Sequence, residues 1–203
     1  MIFPINLPDK PIFLASGSPR RAEILKKIGL CFTIRPSDID ESQPVDSSPA
    51  EFTQDLAKRK ARAVAAQINN GIVIGADTIV VLGDEIFGKP ASEAEAGEML
   101  RRLAGKTHRV FTGFAIIDQP SNREVTAGEM TEVTFRELDD AEIAAYVHSG
   151  EAMDKAGAYG IQDASAVFAR RINGCFYNVV GFPLTCFYLT LRSFFGNHGK
   201  GGI

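Results

Sequence analysis

Apolar residues in this sequence switch repeatedly between strand-like and helix-like spacing, which predicts a mixed α/β chain. "PIFLAS" (residues 11–16) predicts a strand, and Ser18, Pro19 and Gly29 bracket a helix as N-cap, first-turn proline and stop. "CFTIRPS" predicts a second strand, followed by the polar loop "DIDESQPVDSSP". From Pro49 to Ile68 the spacing is helical, with Phe52, Leu56, Ala63 and Ala66 near one face. "GIVIGADTIVVL" (71–82) predicts a long strand that turns at "GD" into "EIFGKP" as a hairpin.

Ser92 and Glu95 have the spacing of a capping box ahead of a helix that ends at Gly105. "HRVFTGFAIID", "REVTAGEM" and "TEVTFREL" predict adjacent antiparallel strands, and a helix near 140–148 stops at Gly150. The small-residue loop "KAGAYGIQ" (155–162) follows, then a hairpin through "VFARRINGCFYNVV" and a last helix opened by Pro183. Strands in runs of two or three, rather than strict βαβ alternation, predict a mixed sheet flanked by helices.

Composition narrows this only in part. At 203 residues, 45% hydrophobic and 23% charged, the chain is expected to form one domain with a core that needs no disulfides. A net charge of −3 argues against a nucleic-acid backbone as partner. Cys31, Cys175 and Cys186 are few, odd in number and far apart, which suits a reducing cytoplasm. "MIFPINLPDK" lacks the basic-then-apolar pattern of a signal peptide, and the apolar stretches, interrupted by Asp77 and Pro183, are too short to span a bilayer. The glycine-rich end, 196–203, is expected to be flexible.

Candidate chemistry begins in "LASGSPRRAEIL", where Arg20 and Arg21 fall in the first turn of the predicted helix. Unpaired N–H groups and the helix dipole already make that end positive, so two cations there are unfavourable alone. An anion between them and the helix end reverses the sign. Phosphate suits both the bare N–H groups and the arginine forks. The alternative is a solvated helix start whose arginines pair with acids such as Glu23.

Asp77 interrupts an otherwise apolar strand, and a buried carboxylate costs several kcal/mol unless a cation, metal or donors compensate it. Thr78 must face the opposite side of a regular strand, and Lys89, on the returning hairpin arm, could come back towards Asp77 or stay exposed before Pro90. Glu41 is one of several loop acids, and Lys60 lies in "KRKAR", where a charged helix face is the default. As a set, two acids could share a divalent cation while the cations surround a polyphosphate.

These motifs together resemble the Maf nucleoside triphosphate pyrophosphatases, also known as septum formation inhibitor Maf-like proteins. "LASGSPRR", Asp40–Glu41, the lysine of "AKRKA", "GADTIV", "GKP", "KAGAYGIQ" and "VVGFPL" occur in family order from about residue 12 to 192. The resemblance implies an elongated mixed α/β fold similar to that of the inosine triphosphate pyrophosphatases, with two lobes around a nucleotide cleft. It implies hydrolysis of a nucleoside triphosphate to the monophosphate and pyrophosphate with Mg²⁺ or Mn²⁺, in a homodimer. "SGSPRR", "ADT" and "AYGIQ" resemble the branch acting on dTTP and UTP, rather than the 7-methyl-GTP branch.

By that resemblance Asp77 is the proton acceptor, and Arg20, Thr78 and Gln162 set base preference. Ser16, Arg21, Lys60 and Lys89 hold phosphates, and Glu41 joins Asp77 in positioning the metal. Asp163, where glycine is often seen, and Phe182, in place of a common leucine, are departures. Tyr159 either stacks on the base or belongs to the core. The family has also been linked to arrest of cell division, so a nucleotide-dependent regulator that binds a protein partner is the alternative function.

Overall fold

Ser18 shows how faithfully local chemistry is converted into structure. Its side chain accepts from the Arg21 N–H and caps helix α1 (Pro19–Lys27), with proline in the first turn. The computed structural model describes residues 7–41 and 47–196, so all of the expected flexible end at 196–203 except Gly196 lies outside the described residues. Helix α1 follows strand β1 (Ile12–Leu14) and precedes β2, which is only Thr33–Ile34. Helix α2 (Pro49–Ala65) opens on a full capping box between Ser48 and Glu51.

The chain continues through β3 (Gly71–Leu82), β4 (Glu85–Phe87), α3 (Glu93–Leu103), β5 (Thr107–Gln119), β6 (Arg123–Phe135) and α4 (Asp140–His148). A short 3₁₀ turn at Ala156–Ala158 and another at Ala164–Phe168 lead to β7 (Ala169–Asn173), α5 (Phe176–Val180) and α6 (Leu184–Gly196). The seven strands form one mixed sheet in the order β2-β1-β3-β5-β6-β7, with β4 paired to β3. Strand β1 runs parallel to both β2 and β3, whereas β3–β4 and β6–β7 are antiparallel.

The chain divides into two compact units. One comprises residues 1–77, 112–129 and 181–203, and the other residues 78–111 and 130–180. In the first, Ala57, Ala61, Val64 and Ala65 of α2 pack with Ala15, Val73, Ala115 and Ile117. Small side chains bring backbones close. A Cβ on Gly75 of β3 would fall 2.9 Å from the Ala61 nitrogen and nearer still to the Ala57 carbonyl, so α2 lies directly on the strand. Phe182, fully buried, packs edge-on against Phe187 at 4.9 Å, in keeping with a packing substitution.

Four expectations need correction. The buried stripe of α2 comprises Phe52, Thr53, Leu56, Ala57, Lys60, Ala61, Val64 and Ala65, leaving Ala63 half-buried and Ala66 exposed. Alanine carries too little hydrophobic signal to fix a helix face. At α3, Ser92 accepts from the Glu95 N–H, but the Glu95 carboxylate takes the Ala91 N–H instead of completing the box. "REVTAGEM" and "TEVTFREL" form one strand, β6, which runs through Gly128 where a Cβ would fall 2.8 Å from the Thr112 carbonyl of β5, so the glycine marks close backbone approach and not a strand end.

The predicted hairpin through 167–180 is the fourth. Only β7 is a strand, and "FYNVV" is helical. The Asn178 amide donates to the Val110 carbonyl and to Thr131 Oγ1, both at 3.0 Å, and Cys175 N–H also meets Thr131 Oγ1. Tertiary hydrogen bonds override a strand-favouring local sequence.

The second unit's core joins Phe87, Leu100, Val133, Phe135, Ile143, Tyr159 and Phe168. His108 is buried among them, 4.9 Å edge-on to Phe135, with Nε2 2.8 Å from the Tyr159 hydroxyl. Burial lowers its pKa from 6.5 to about 4. Between those values the unfolded chain binds a proton that the folded chain refuses. Stability is therefore complete above about pH 6.5 and falls towards pH 4, by up to about 3 kcal/mol from this residue. Urea unfolding at pH 7 and 4.5 checks this: a folded His108→Gln variant should lose less stability between the two pH values than the parent. Equal losses would exclude His108 as the acid-sensitive group.

Candidate active site

The stretch from the end of β1 into α1 supplies Ser16, Arg20 and Arg21, and the middle of α2 supplies Lys60, all in the first unit. Ser16, buried at the exit from β1, accepts from Arg21 Nη1 at 3.0 Å and from the Ser18 N–H at 3.3 Å. Arg21 also donates from Nε to the Gly181 carbonyl at 3.0 Å. Thus "SGSPRR" and "VVGFPL", 160 residues apart at this contact, are joined by one guanidinium. Gly181 is a contact that the sequence reading missed; the only signal for it was the "VVGFPL" motif itself.

Lys60 is the main reversal. In place of a solvated helix face, it lies on the buried stripe of α2, 8% exposed. Its Nζ meets Asp77 Oδ1 and Glu41 Oε1, each at 2.7 Å. Asp77 is itself buried at 7% exposure, and the compensation that a carboxylate there requires comes from this ammonium. Glu41 remains exposed on its loop, where Arg59 donates to the neighbouring Asp40 carbonyl.

Desolvation holds the Arg21 guanidinium below its ordinary pKa, Asp77 and Glu41 pull it back up, and Arg20 pushes it down. Arg20, Arg21, Glu41 and Asp77 therefore act within one local field. The three cations and two carboxylates of this cluster leave it net positive, the sign that a polyphosphate requires. Among the described residues no group of three or more His, Cys, Asp or Glu side chains gathers in metal-ligating positions. A hard cation here would use two carboxylates and complete its shell with phosphate oxygens and water.

Thr78, Lys89 and Gln162 belong to the second unit. Thr78 follows Asp77 on β3 and is half-buried. Lys89 is exposed beyond β4, whose Phe87 pairs with Val80. The loop carrying Gln162 is tied to the same region. Gly157 donates to the Gly88 carbonyl at 3.0 Å and packs against the Val80 side chain. "GKP" and "KAGAYGIQ" are thereby joined through their backbones. Gln162 is exposed. Tyr159 is buried with its hydroxyl on His108, so it is a core residue rather than a stacking platform.

The three cysteines form no disulfide, and no helix among the described residues is long and apolar enough to cross a membrane.

Comparison with known proteins agrees with these motifs. The dTTP/UTP pyrophosphatases of Desulforamulus reducens and Pelotomaculum thermopropionicum are each 48% identical over 185 residues, covering 91% of this chain and 97% of the relative. That of Bacillus cereus is 49% identical over 185 residues, with 91% and 90% covered. The family model described as Maf-like protein matches residues 11–194, so the motif order, the mixed sheet and the relatives meet in one conclusion: the chain belongs to the Maf-like protein family.

Proposed function

We propose that this chain hydrolyses dTTP and UTP to the nucleoside monophosphate and pyrophosphate. The observation that carries this reading is the buried Asp77 carboxylate held by Lys60 within the field of Arg21, with Glu41 on the same ammonium. Relatives named dTTP/UTP pyrophosphatase, 48–49% identical, support the substrate class.

In this mechanism Arg21, Lys60, Lys89 and Ser16 hold the triphosphate. Asp77 orients a water molecule against the α-phosphorus and accepts its proton. The new bond joins the water oxygen to the α-phosphorus, while the bond to the bridging oxygen breaks and pyrophosphate leaves. Negative charge growing on that oxygen is stabilised by the cations. Glu41 and Asp77 fit Mg²⁺ or Mn²⁺, since one ammonium already meets both carboxylates. When bound, the metal supplies Lewis-acid stabilisation of phosphate charge.

Arg20, Thr78 and Gln162 set base preference in this reading. A glutamine amide offers a donor and an acceptor to the O4/N3–H edge that uracil and thymine share. Cytosine inverts that pattern, and each unpaired group in a desolvated pocket costs about 1–3 kcal/mol, or about tenfold or more in selectivity. Pyrophosphate release with Mg²⁺ should be much faster from dTTP and UTP than from dCTP, as kcat/KM. Gln162→Ala should narrow the gap. Equal rates on dCTP and dTTP in the parent would refute the reading.

A further inference from the structure

In the loop that carries Gln162, the segment from residue 155 to 165 is closed on itself. Lys155, 7% exposed, donates from Nζ to Asp154 at 2.8 Å, to Asp163 at 3.0 Å and to the Glu151 carbonyl. Asp163 is the residue immediately after Gln162. Gly160 lies against this pair: a Cβ there would fall 2.6 Å from Lys155 Cε and closer still to Asp163 Oδ2. Ser165 completes the closure, since its Oγ accepts from the Gly160 N–H and donates to the Gly160 carbonyl, each at 3.0 Å. Burial lowers the Lys155 pKa, but its hydrogen bonds to Asp154 and Asp163 outweigh that and hold it above the ordinary lysine value. The ammonium is thus charged throughout the neutral range.

We propose that Lys155 and Asp163 form a clamp that fixes the backbone on both sides of Gln162, making them positioning residues for base selection. The proposal rests on Gln162 as the base reader. A bidentate contact between an amide and a pyrimidine edge needs the glutamine backbone fixed, because small displacements sharply reduce the return from oriented groups. Gln162 is exposed, so surrounding side chains do little to restrain it, and the clamp supplies that restraint from one residue away.

The test compares kcat/KM for dTTP and dCTP in the parent, Asp163→Asn, Asp163→Glu and Gln162→Ala. Inhibition by inorganic tripolyphosphate serves as a readout of the phosphate site. Asp163 is partly exposed, so its variants keep the fold where a change at buried Lys155 could lose it. Asp163→Asn should reduce the dTTP-over-dCTP ratio about fivefold, mainly by raising KM for dTTP, while tripolyphosphate inhibition stays at the parental level. Asp163→Glu, which keeps the charge, should recover part of the ratio.

A merely structural role would lower thermal stability and scale both substrates alike, leaving the ratio unchanged. A parental ratio in Asp163→Asn, measured beside a reduced ratio in Gln162→Ala, overturns the clamp and leaves the base-reader assignment standing. A parental ratio in Gln162→Ala overturns both.

Discussion

Asp77→Asn should lower turnover of dTTP by about a hundredfold to ten-thousandfold, the range that a positioned acid–base group contributes. The asparagine carbonyl can still accept from Lys60, whose ammonium also keeps Glu41, so the α2–β3 contact survives the exchange. What disappears is the negative charge that, in the proposed mechanism, accepts the water's proton and meets the metal. Nucleotide affinity should remain measurable because Arg21, Lys60 and Lys89 are untouched. The measurement is steady-state pyrophosphate release beside dTTP binding by calorimetry, with circular dichroism to establish folding. Near-parental turnover in a folded variant would exclude Asp77 as base or essential metal ligand.

Arg21→Ala should weaken dTTP binding about tenfold to a hundredfold, matching the 1.5–3 kcal/mol or so of a hydrogen bond to a charged group. Binding is best measured in the Asp77→Asn background, where slow turnover permits equilibrium. Arg21 also ties Ser16 to the Gly181 carbonyl, so the alanine variant should lose some thermal stability. The two effects separate with Arg21→Lys, which keeps the charge and loses the planar fork. Lysine should recover part of the affinity but little of the tie to Gly181. If Arg21→Ala binds dTTP as tightly as its background, the positive helix start serves folding alone.

The residues of this site differ in how visible they were in the sequence. Asp77 was legible because one carboxylate in an apolar strand contradicts its surroundings. Arg20 and Arg21 were legible for a related reason, as cations at a helix end that disfavours them. Lys60 was not. It sits in "KRKAR", where helical spacing and charge both predict solvent, and its burial depends on the partner carboxylates rather than on its neighbours in the chain. Gln162 is an ordinary polar residue in a loop, and only resemblance to a family singled it out.

The fold divides along the same line. The start of α1, the turn at Gly83–Asp84 and the length of β3 follow from caps, turn residues and periodicity, all local properties. Helix α5 does not. Asn178 bonds to Val110, 68 positions earlier, and to Thr131, 47 positions earlier, so its conformation is decided by contacts that a sequence window never includes.

Gly75 has no polar side chain and is two positions from Asp77, yet it sets the spacing on which Lys60 depends. The absence of a Cβ there lets Ala57 and Ala61, which flank Lys60, rest on the strand. A single methyl group at position 75 would push α2 outward by about an ångström or more and carry the ammonium away from its carboxylate. Part of the chemistry is therefore inherited through three of the smallest side chains in the protein. The spacing under the charges is thus set by side chains that carry none, and a mutational survey confined to ionisable residues would miss them.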